Sequence, residues 1–273
     1  MDIKIFSCFH KEFKIPNSNV IYPIHVGKSI SDMELNMVND NTGENISNKN
    51  KNYCELTAIY WAWKNVNCDV IGLTHYRRYF DLEESYYEVI TEEENIINSD
   101  IFKSYKEKIE NIMLSTYDII MPKPKTFGTS VKNQYIACHK KEDLDVLESI
   151  IKKKYPEYIA SYDYIMKKQN KLSPYNMFIM KKKEFNKYCE WLFDILFEVE
   201  KKIKISENTY QARVFGFMSE RLLNVYVYHN KLNVKYTTVI FIGEKKKYNN
   251  YVIENLRNLK NEMKFKLLRN ENS

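Results

Sequence analysis

Short apolar runs alternate with longer amphipathic segments along this chain, and the alternation restricts its fold more than any other feature. A short apolar run bounded by polar residues predicts a buried strand, whereas apolar residues three and four positions apart predict a helix with one buried face. Strands and helices that alternate predict an α/β fold. We therefore expect a mixed central sheet flanked by helices, with a helical extension at the C-terminus.

The predicted elements cover most of the chain. Strands are predicted over Ile3–Phe9, Val20–Val26, Asp69–Thr74, Tyr117–Met121, Met177–Met180 and Val234–Ile242. Helices are predicted over Tyr53–Asn65, 85–113, 129–168 with an interruption near Pro156, Glu184–Ile203, Thr209–Tyr228 and from Tyr248 onward. Because no repeat and no linker rich in Pro, Gly or Ser divides the chain, we expect one domain over residues 1–246 and an amphipathic basic helix over residues 247–273.

Composition narrows the class of protein. Hydrophobic residues make up 44% of the 273 residues, enough for a sizeable core. The formal net charge of +6 suits anionic partners, but no helix-turn-helix, zinc-finger or RNA-binding signature supports a nucleic-acid partner. The N-terminal segment lacks signal-peptide features, and no window is apolar enough to span a membrane. These features predict a cytoplasmic protein.

The cysteines support the same location. The chain has five, they are far apart, and none forms a C-x-x-C pair, which indicates a reduced intracellular protein without a disulfide framework or a zinc site. We expect all of them to pack in apolar surroundings. They are Cys8, Cys54, Cys68, Cys138 and Cys189.

The segment HYRRYF, from His75 to Phe80, directly follows a predicted buried strand. Arg77 and Arg78 could bind a phosphate or carboxylate through their guanidinium groups, and His75 could donate to a phosphate or orient a ligand. The alternative is a set of ion pairs with nearby acidic residues, and residue chemistry leaves the two interpretations about even. Those acidic residues are Asp81, Glu83 and Glu84.

Polar residues follow two other predicted strands. His10 and Lys11 come after the first strand, and Gly27 comes after the second. Ligands bind at the carboxyl ends of strands in open α/β sheets. We therefore expect these residues to meet HYRRYF at one edge of the sheet and to form an anion site there.

A loop rich in Asn precedes the first long helix. Asn45 and Asn50 could bind hydroxyl groups of a ribose or another sugar, but turn and capping roles, with Ser47 or Asn52 as the cap, are the simpler interpretation. Glu55 lies on an otherwise apolar helix, so its carboxylate needs a partner. That partner could be Arg77, Arg78 or a ligand.

The C-terminal half holds further candidates. Asn176 leads into a buried strand and could contact a sugar hydroxyl, although a turn role is favoured. Glu220 interrupts an apolar helix and could act as a general base, but an internal ion pair with an Arg is favoured for the isolated residue. His139 is a lone candidate, and no residues have the spacing of zinc ligands.

Several strings, in order, resemble a family of capsular and exopolysaccharide biosynthesis proteins whose domain was long described as of unknown function. The resemblance extends from His10 to about Tyr226. The strings that carry it are Asp40-x-Thr42-Gly43-x-Asn45-Ile46-Ser47, Tyr53-Cys54-Glu55-Leu56-Thr57, Gly72-x-x-His75-Tyr76-Arg77-Arg78-Tyr79-Phe80, Asn176-Met177-Phe178-Ile179-Met180 and Arg213-x-x-Gly216-x-x-x-Glu220-Arg221-Leu222.

The resemblance implies a glycosyltransferase of GT-A-like fold that uses a nucleotide-sugar, such as a UDP-sugar, since some relatives are associated with galactofuranose transfer. HYRRYF stands where the usual Asp-x-Asp metal motif is expected. Cationic side chains are therefore expected to supply some or all of the charge neutralisation that the metal would provide. A divalent cation, Mn²⁺ or Mg²⁺, on Asp40, Glu55 or Asp118 is left open.

The resemblance and the residue chemistry together give the expected roles. The catalytic residues are Glu220 and His75. The donor-binding residues are His10, Lys11, Gly27, Asn45, Asn50, Glu55, Arg77 and Arg78. The acceptor-binding residues are Asn176, Arg213 and His139.

Other functions and partners stay open at this point. A non-enzymatic carbohydrate-binding or assembly protein is the alternative, and a phosphotransferase is a third class. The expected acceptor is a growing, lipid-linked glycan. The apolar stripe of the C-terminal helix could lie on the inner membrane surface or pack on the protein, with packing slightly favoured. This stripe consists of Val252, Leu256, Leu259, Met263 and Leu267.

Overall fold

The computed structural model describes residues 1–83, 89–91, 100–243 and 251–270. The chain forms two compact units, each assembled from separate stretches of sequence. Unit 1 comprises Met1–Lys123, Asn176–Glu190 and Leu232–Tyr248, and unit 2 comprises Pro124–Tyr175, Trp191–Lys231 and Asn249–Ser273. The single domain over residues 1–246 stays a prediction.

All six predicted strands are present, and the sheets contain further short strands. The strands are β1 (Ile3–Phe9), β2 (Ile21–His25), β3 (Val38–Asn39), β4 (Val70–His75), β5 (Arg78–Asp81), β6 (Val89–Thr91), β7 (Ile119–Pro122), β8 (Lys125–Thr126), β9 (Lys171–Leu172), β10 (Phe178–Lys181) and β11 (Val234–Ile242). Strands β8 and β9 form an antiparallel ribbon in unit 2. The other strands form the mixed sheet of unit 1, which confirms the expected central sheet.

Strands β4, β1, β2 and β3 lie side by side in the sheet of unit 1 and are parallel. Their carboxyl ends therefore meet at one edge. At this edge Cys8 of β1 is opposite His75 of β4, and Phe9 is opposite His25 of β2. Strand β10 is antiparallel to both β4 and β7, which makes the sheet mixed.

Each predicted helical segment contains at least one helix in the structure, but the bounds of the helices differ from the prediction. They are α1 (Asn50–Tyr53), α2 (Leu56–Asn65), α3 (Tyr105–Leu114), α4 (Val131–Cys138), α5 (Lys141–Lys154), α6 (Ile159–Asp163), α7 (Lys182–Glu200), α8 (Val214–His229) and α9 (Tyr251–Asn270). Short 3₁₀ segments at Pro156–Tyr158 and Gln211–Arg213 precede α6 and α8, and one π-helical turn, Tyr164–Lys168, follows α6.

The predicted helix from Tyr53 to Asn65 is interrupted at its start. Cys54 has φ of 52°, a left-handed conformation that ends α1, so α2 begins only at Leu56. The Asn50 side chain stabilises this break, because its Nδ2 donates to the Cys54 carbonyl at 2.8 Å and to Thr57 Oγ1 at 3.0 Å. A local hydrogen bond thus replaces the first helical turn expected from the sequence.

Two other helix predictions were wrong in part. Within its described residues, the segment 85–113 contains the strand β6, which pairs with β11, and the helix α3, which begins at Tyr105. Residues 84–88 and 92–99 lie outside the described residues. The helix predicted over 129–168 is broken between α4 and α5 at His139, where the backbone is extended (φ −140°), as well as near Pro156.

The cysteine prediction needs one correction. All five cysteines are free thiols, as expected. Cys8 and Cys189 are buried, but Cys138 is exposed at the end of α4 and does not pack in apolar surroundings. Among the described residues, no helix is both long and apolar enough to cross a membrane.

Candidate functional site

The segment HYRRYF is a tight β-hairpin rather than a loop after a strand. Strand β4 ends at His75, Tyr76 and Arg77 form the turn, and β5 begins at Arg78. The backbone N–H of Tyr76 donates to the Cys8 carbonyl at 3.1 Å, which attaches the turn to the end of β1. The hairpin therefore places Tyr76 and Arg77 at the carboxyl edge of the parallel strands.

Five side chains meet around this turn, and we call them the strand-end cluster: His10, Lys11, Phe13, Tyr76 and Arg77. The His10 and Phe13 rings lie edge-on to Tyr76, with centroids 5.2 and 5.1 Å away. Lys11 Nζ lies 5.7 Å from the centroid of the same ring. The predicted meeting of His10 and Lys11 with HYRRYF is thus confirmed.

Arg77 is half-buried and lies over the Phe13 ring, 6.0 Å from its centroid. Its Nε donates to the Ile242 carbonyl at 2.7 Å. Within the described part of the chain, no carboxylate lies within salt-bridge distance of this guanidinium. A half-buried cation in this position has unmet hydrogen-bonding capacity, which suits an anionic ligand.

The alternative interpretation, ion pairs of Arg77 with Asp81 and Glu83, is not found, because both carboxylates have other partners. Asp81 accepts hydrogen bonds from Thr238 Oγ1 at 2.8 Å and from the Glu83 backbone at 3.1 Å. Glu83 forms an ion pair with Lys108. Glu84 lies outside the described residues.

Arg78 has different surroundings from Arg77, and its donor-binding role stays a prediction. Arg78 lies within β5, opposite Phe241 of β11, and its guanidinium lies 5.8 Å from the centroid of that ring. His75 ends β4 and is opposite Arg78 across the hairpin. Of the two arginines, Arg77 in the turn is the better placed to meet a ligand.

Gly27 follows β2 at the same edge, and hydrogen bonds to Asp40 hold its turn. The Gly27 and Lys28 amides donate to the buried Asp40 carboxylate at 2.8 and 3.1 Å. Gly27 has φ of 72°, which favours glycine, and a Cβ at this position would lie 2.7 Å from the Asn50 side chain. The turn therefore requires Gly27 for local geometry, and its donor-binding role stays a prediction.

Asn45 and Asn50 also have internal partners. Asn45 Nδ2 donates to the Gly43 carbonyl at 2.9 Å, and its Oδ1 accepts from the Ser47 amide at 3.1 Å. This is a local turn, as the simpler interpretation holds. Asn50 bonds to Cys54 and Thr57 as described above, so the contacts of both side chains stabilise the loop.

Glu55 and Asn176, predicted separately, are brought together by the structure. Asn176 Nδ2 donates to Glu55 Oε1 at 2.6 Å. Asn176 has φ of 53°, so the favoured turn role is confirmed as well. Burial raises the pKa of the Cys8 thiol well above its usual value, and the Glu55 and Asp40 carboxylates raise it further. The Glu55 carboxylate thus affects the charge state of Cys8, which lies at the end of β1 close to the strand-end cluster.

The carboxylates left open as metal ligands do not fit a metal site. Asp40 is occupied by two amides and the Ser47 hydroxyl, and Asp118 accepts from the Asn233 amide at 2.9 Å. In the described ranges, no group of three or more His, Cys, Asp or Glu side chains could hold a metal ion.

Glu220, in unit 2, forms the internal ion pair that the sequence favoured. Its Oε2 accepts from Arg221 Nη1 at 2.6 Å, and its Oε1 accepts from the Tyr175 amide at 2.6 Å. Arg221 is 4% exposed and also donates to Gln134 Oε1 at 2.7 Å. Both carboxylate oxygens of Glu220 are thus engaged by groups of unit 2, the Arg221 guanidinium and the Tyr175 amide. The general-base role of Glu220 stays a prediction that this geometry does not favour.

His139 lies in an aromatic cluster of unit 2. Its ring stacks on Phe217 with centroids 4.0 Å apart, and its Nδ1 lies 3.2 Å from Gln211 Oε1. Burial lowers the pKa of His139, which favours the neutral imidazole. The exposed Arg213 lies 5.9 Å from the centroid of the same Phe217 ring. The structure therefore groups two of the predicted acceptor-binding residues around Phe217.

The sequence reasoning missed Phe13, His25 and Gln134. Phe13 carries no signal in the sequence, because its contact with Tyr76 and Arg77 depends on the loop after β1. Gln134 lies 87 positions from its partner Arg221, so no local pattern in the sequence indicates their contact. His25 is fully buried, neither ring nitrogen has a hydrogen-bond partner among the described residues, and burial lowers its pKa. A lone histidine inside an apolar run was a signal that could have identified His25.

Comparison with known proteins gives two matches. Residues 4–231 match the family model described as a domain of unknown function, DUF4422. A solved structure titled "WbbM bifunctional glycosytransferase apo structure" is 31% identical, with a TM-score of 0.82, over 91% of this chain and 48% of that chain. The chain thus spans about half the length of this relative. No curated protein sequence matches the chain.

Proposed function

We propose, from the premise that the chain belongs to the DUF4422 family, that it is a glycosyltransferase acting on a nucleotide-sugar and a glycan. The likeness to part of a bifunctional glycosyltransferase, at 31% identity and over 91% of the chain, supports this reaction class. The observation that carries the proposal is Arg77, a half-buried cation without a carboxylate partner among the described residues. It lies beside Lys11 and Tyr76 at the carboxyl edge of a parallel sheet.

The donor site is assigned to the strand-end cluster of unit 1, in a GT-A-like arrangement. Arg77 and Lys11 would hold the diphosphate of a UDP-sugar, and Tyr76 offers a flat ring for the ribose or base. UDP-galactofuranose is one donor of this class. Because the described carboxylates do not fit a metal, these cations are proposed to neutralise the charge that develops on the leaving diphosphate.

The proposed reaction is a displacement at the anomeric carbon. The acceptor oxygen forms a bond to that carbon, the bond from the carbon to the diphosphate oxygen breaks, and its electron pair leaves with UDP. The acceptor proton passes to a carboxylate. Glu55 is the better candidate for this proton, because it lies in unit 1 near the end of β1 and its one recorded partner among the described residues is Asn176.

A pair of matched variants tests the assignment of the base. Glu55→Gln keeps the shape and the neighbouring Asn176, and should lower kcat by about 100-fold or more if Glu55 accepts the proton. Glu220→Gln keeps the contact with the Tyr175 amide and should lower stability without a comparable fall in kcat. The reverse pattern would assign the proton to Glu220, as predicted from the sequence.

The acceptor roles of Arg213 and His139 are part of the proposal and concern unit 2. Replacing either residue should raise the KM for the glycan and leave nucleotide affinity unchanged. We further propose that the acceptor is lipid-linked, that the enzyme works in the cytoplasm at the inner face of the membrane, and that α9 makes the membrane contact.

A thermal-shift screen with nucleotides tests the proposed function itself. A ligand that binds only the folded state raises Tm. We expect UDP to raise Tm more than UMP or uridine, since the diphosphate is what Arg77 and Lys11 would bind. Glycan binding with no effect of UDP, GDP or dTDP would instead indicate the non-enzymatic carbohydrate-binding protein.

A further inference from the structure

Helix α9 is amphipathic, but it presents its apolar face to solvent. Leu256, Leu259, Met263 and Leu267 are 60%, 55%, 57% and 63% exposed. Their spacing of three and four residues places them on one face of the helix, where they form a stripe about 16 Å long. We call these four residues the apolar stripe. A surface helix normally buries such a stripe.

Helix α9 belongs to unit 2, and polar contacts attach its opposite face to the rest of that unit. Asn261 Nδ2 donates to the Thr126 carbonyl of β8 at 2.8 Å. Glu262 forms an ion pair with Lys171 of β9 at 2.6 Å. The packing favoured from the sequence is thus present, but it uses the face opposite the apolar stripe. The stripe is directed away from these contacts.

Basic side chains surround the apolar stripe. Over residues 255–269 the helix carries five basic residues and one acidic residue, Glu262, which pairs with Lys171 on the docked face. Lys260 and Lys266 flank the stripe on its two sides, given 3.6 residues per turn. The basic residues are Arg257, Lys260, Lys264, Lys266 and Arg269.

We propose that α9 lays its apolar stripe into the surface of an anionic lipid bilayer while its polar face stays bound to unit 2. An apolar strip bordered by Lys and Arg is the arrangement that binds the interface of anionic membranes. A second copy of the chain fits less well. Pairing two such stripes would bring like charges together along both sides, whereas paired helices place opposite charges there.

The inference deepens the membrane contact included in the proposed function, and vesicle binding tests it without donor or acceptor. The full chain is sedimented with vesicles of phosphatidylcholine alone and with vesicles that contain phosphatidylglycerol. We expect binding to the anionic vesicles at least about tenfold tighter than to the neutral ones, and weaker binding as salt screens the cations.

Two double variants separate the apolar and the basic contributions. Leu259→Gln/Met263→Gln should weaken binding to the anionic vesicles by about 100-fold, because two apolar side chains no longer leave water. Lys260→Glu/Lys266→Glu should weaken it by about 25-fold or more, since each cation near such a surface contributes about a factor of five.

Matched controls change equally exposed residues elsewhere. Leu114→Gln removes a leucine that is 73% exposed, and Lys152→Glu/Lys153→Glu reverses two exposed lysines at the end of α5. Both controls should bind vesicles like the wild type. Circular dichroism with thermal melting of all variants shows that each is folded.

Three results would overturn the inference. They are absence of wild-type binding to anionic vesicles, unchanged binding by Leu259→Gln/Met263→Gln, and a solution dimer that this variant converts to a monomer without any vesicle binding. The last result would assign the stripe to a second copy. UDP binding is measured on the same samples, so that loss of vesicle binding with intact nucleotide binding contradicts this inference alone.

Discussion

Arg77 and Arg221 both lie over aromatic rings, but their other partners differ. Arg77, in unit 1, lies 6.0 Å from the centroid of Phe13 and has one recorded hydrogen bond among the described residues, to a backbone carbonyl. Arg221, in unit 2, lies 5.3 Å from the centroid of Tyr135 and binds Glu220, Gln134 and the Phe217 carbonyl. The same side chain in similar aromatic surroundings can therefore have two different roles.

The difference shows how to distinguish a structural cation from a ligand-binding cation. A buried charge is costly unless it is paired, and Arg221 is paired with Glu220 of its own chain. Arg77 keeps capacity for an anion, and it lies where parallel strands end. Replacing Arg221 should therefore affect stability, whereas replacing Arg77 should affect binding.

The largest expected effect is a loss of stability in Arg221→Met. This change leaves the Glu220 carboxylate without its cation, and breaking a buried pair in this way costs about 3–5 kcal/mol. Urea denaturation gives the free energy of unfolding. The exposed Arg257→Met, on α9 of the same unit, is the control and should change it by less than about 0.5 kcal/mol. Equal losses in the two variants would contradict the structural role of Arg221.

The next effect is on nucleotide affinity in Arg77→Ala. Loss of a charge-assisted contact should weaken UDP binding by about 1.5–3 kcal/mol, measured by isothermal titration. Stability should fall by no more than about 1 kcal/mol, since one hydrogen bond to the Ile242 carbonyl is lost. Unchanged UDP affinity in folded Arg77→Ala would remove the central support for the donor site.

A smaller effect is expected in the Gly27 turn, where internal contacts rather than charge decide the geometry. Gly27→Ala forces a side chain into a left-handed conformation and against Asn50, and should lower the free energy of unfolding by about 1–2 kcal/mol. Asn50→Ala removes this obstacle, but it also removes the hydrogen bonds to Cys54 and Thr57. Gly27→Ala should therefore cost less stability when it is added to Asn50→Ala than when it is added to the wild type, as urea denaturation of all three variants can determine.

The smallest effect is a pH dependence from His139. Burial lowers its pKa in the folded protein, so the unfolded chain binds the proton more tightly. Stability is then complete above the ordinary His value of about 6.5 and falls as pH decreases through the folded pKa, by at most about 1.4 kcal/mol per pH unit. His139→Phe keeps a ring against Phe217 and should flatten this slope. Urea denaturation at several pH values measures it, and an unchanged slope would contradict the assignment.

The main strands were predictable because each is a short apolar run with clear ends. Ile3–Phe9 and Val234–Ile242 are found with the predicted bounds. Strand β5 was missed because Arg78 begins it and its pairing with β11 depends on residues far away in the sequence. The end of α1 at Cys54 was also missed, since an Asn50 side chain rather than Gly or Pro causes it.

The position of the candidate site could be predicted from the sequence, but the contacts of its residues could not. Strand ends predicted that His10, Lys11 and HYRRYF meet, because parallel strands share a carboxyl edge. The partners of Asp81 and Glu83 were not predictable, since they come from Thr238 and Lys108 on other elements. That Arg77 has no carboxylate partner among the described residues is therefore evident only when the tertiary contacts of its acidic neighbours are known.

The position of β11 has a consequence for how the protein is made. This strand lies between β5 and β7, and Thr238 bonds to Asp81 across 157 positions of sequence. Nearly all of residues 1–242 must therefore leave the ribosome before the sheet can be completed. Until then, the earlier strands have unpaired edges. Chains that stop before Val234 should aggregate or be degraded. The sheet edge that carries the strand-end cluster therefore cannot be obtained as a shorter independent fragment.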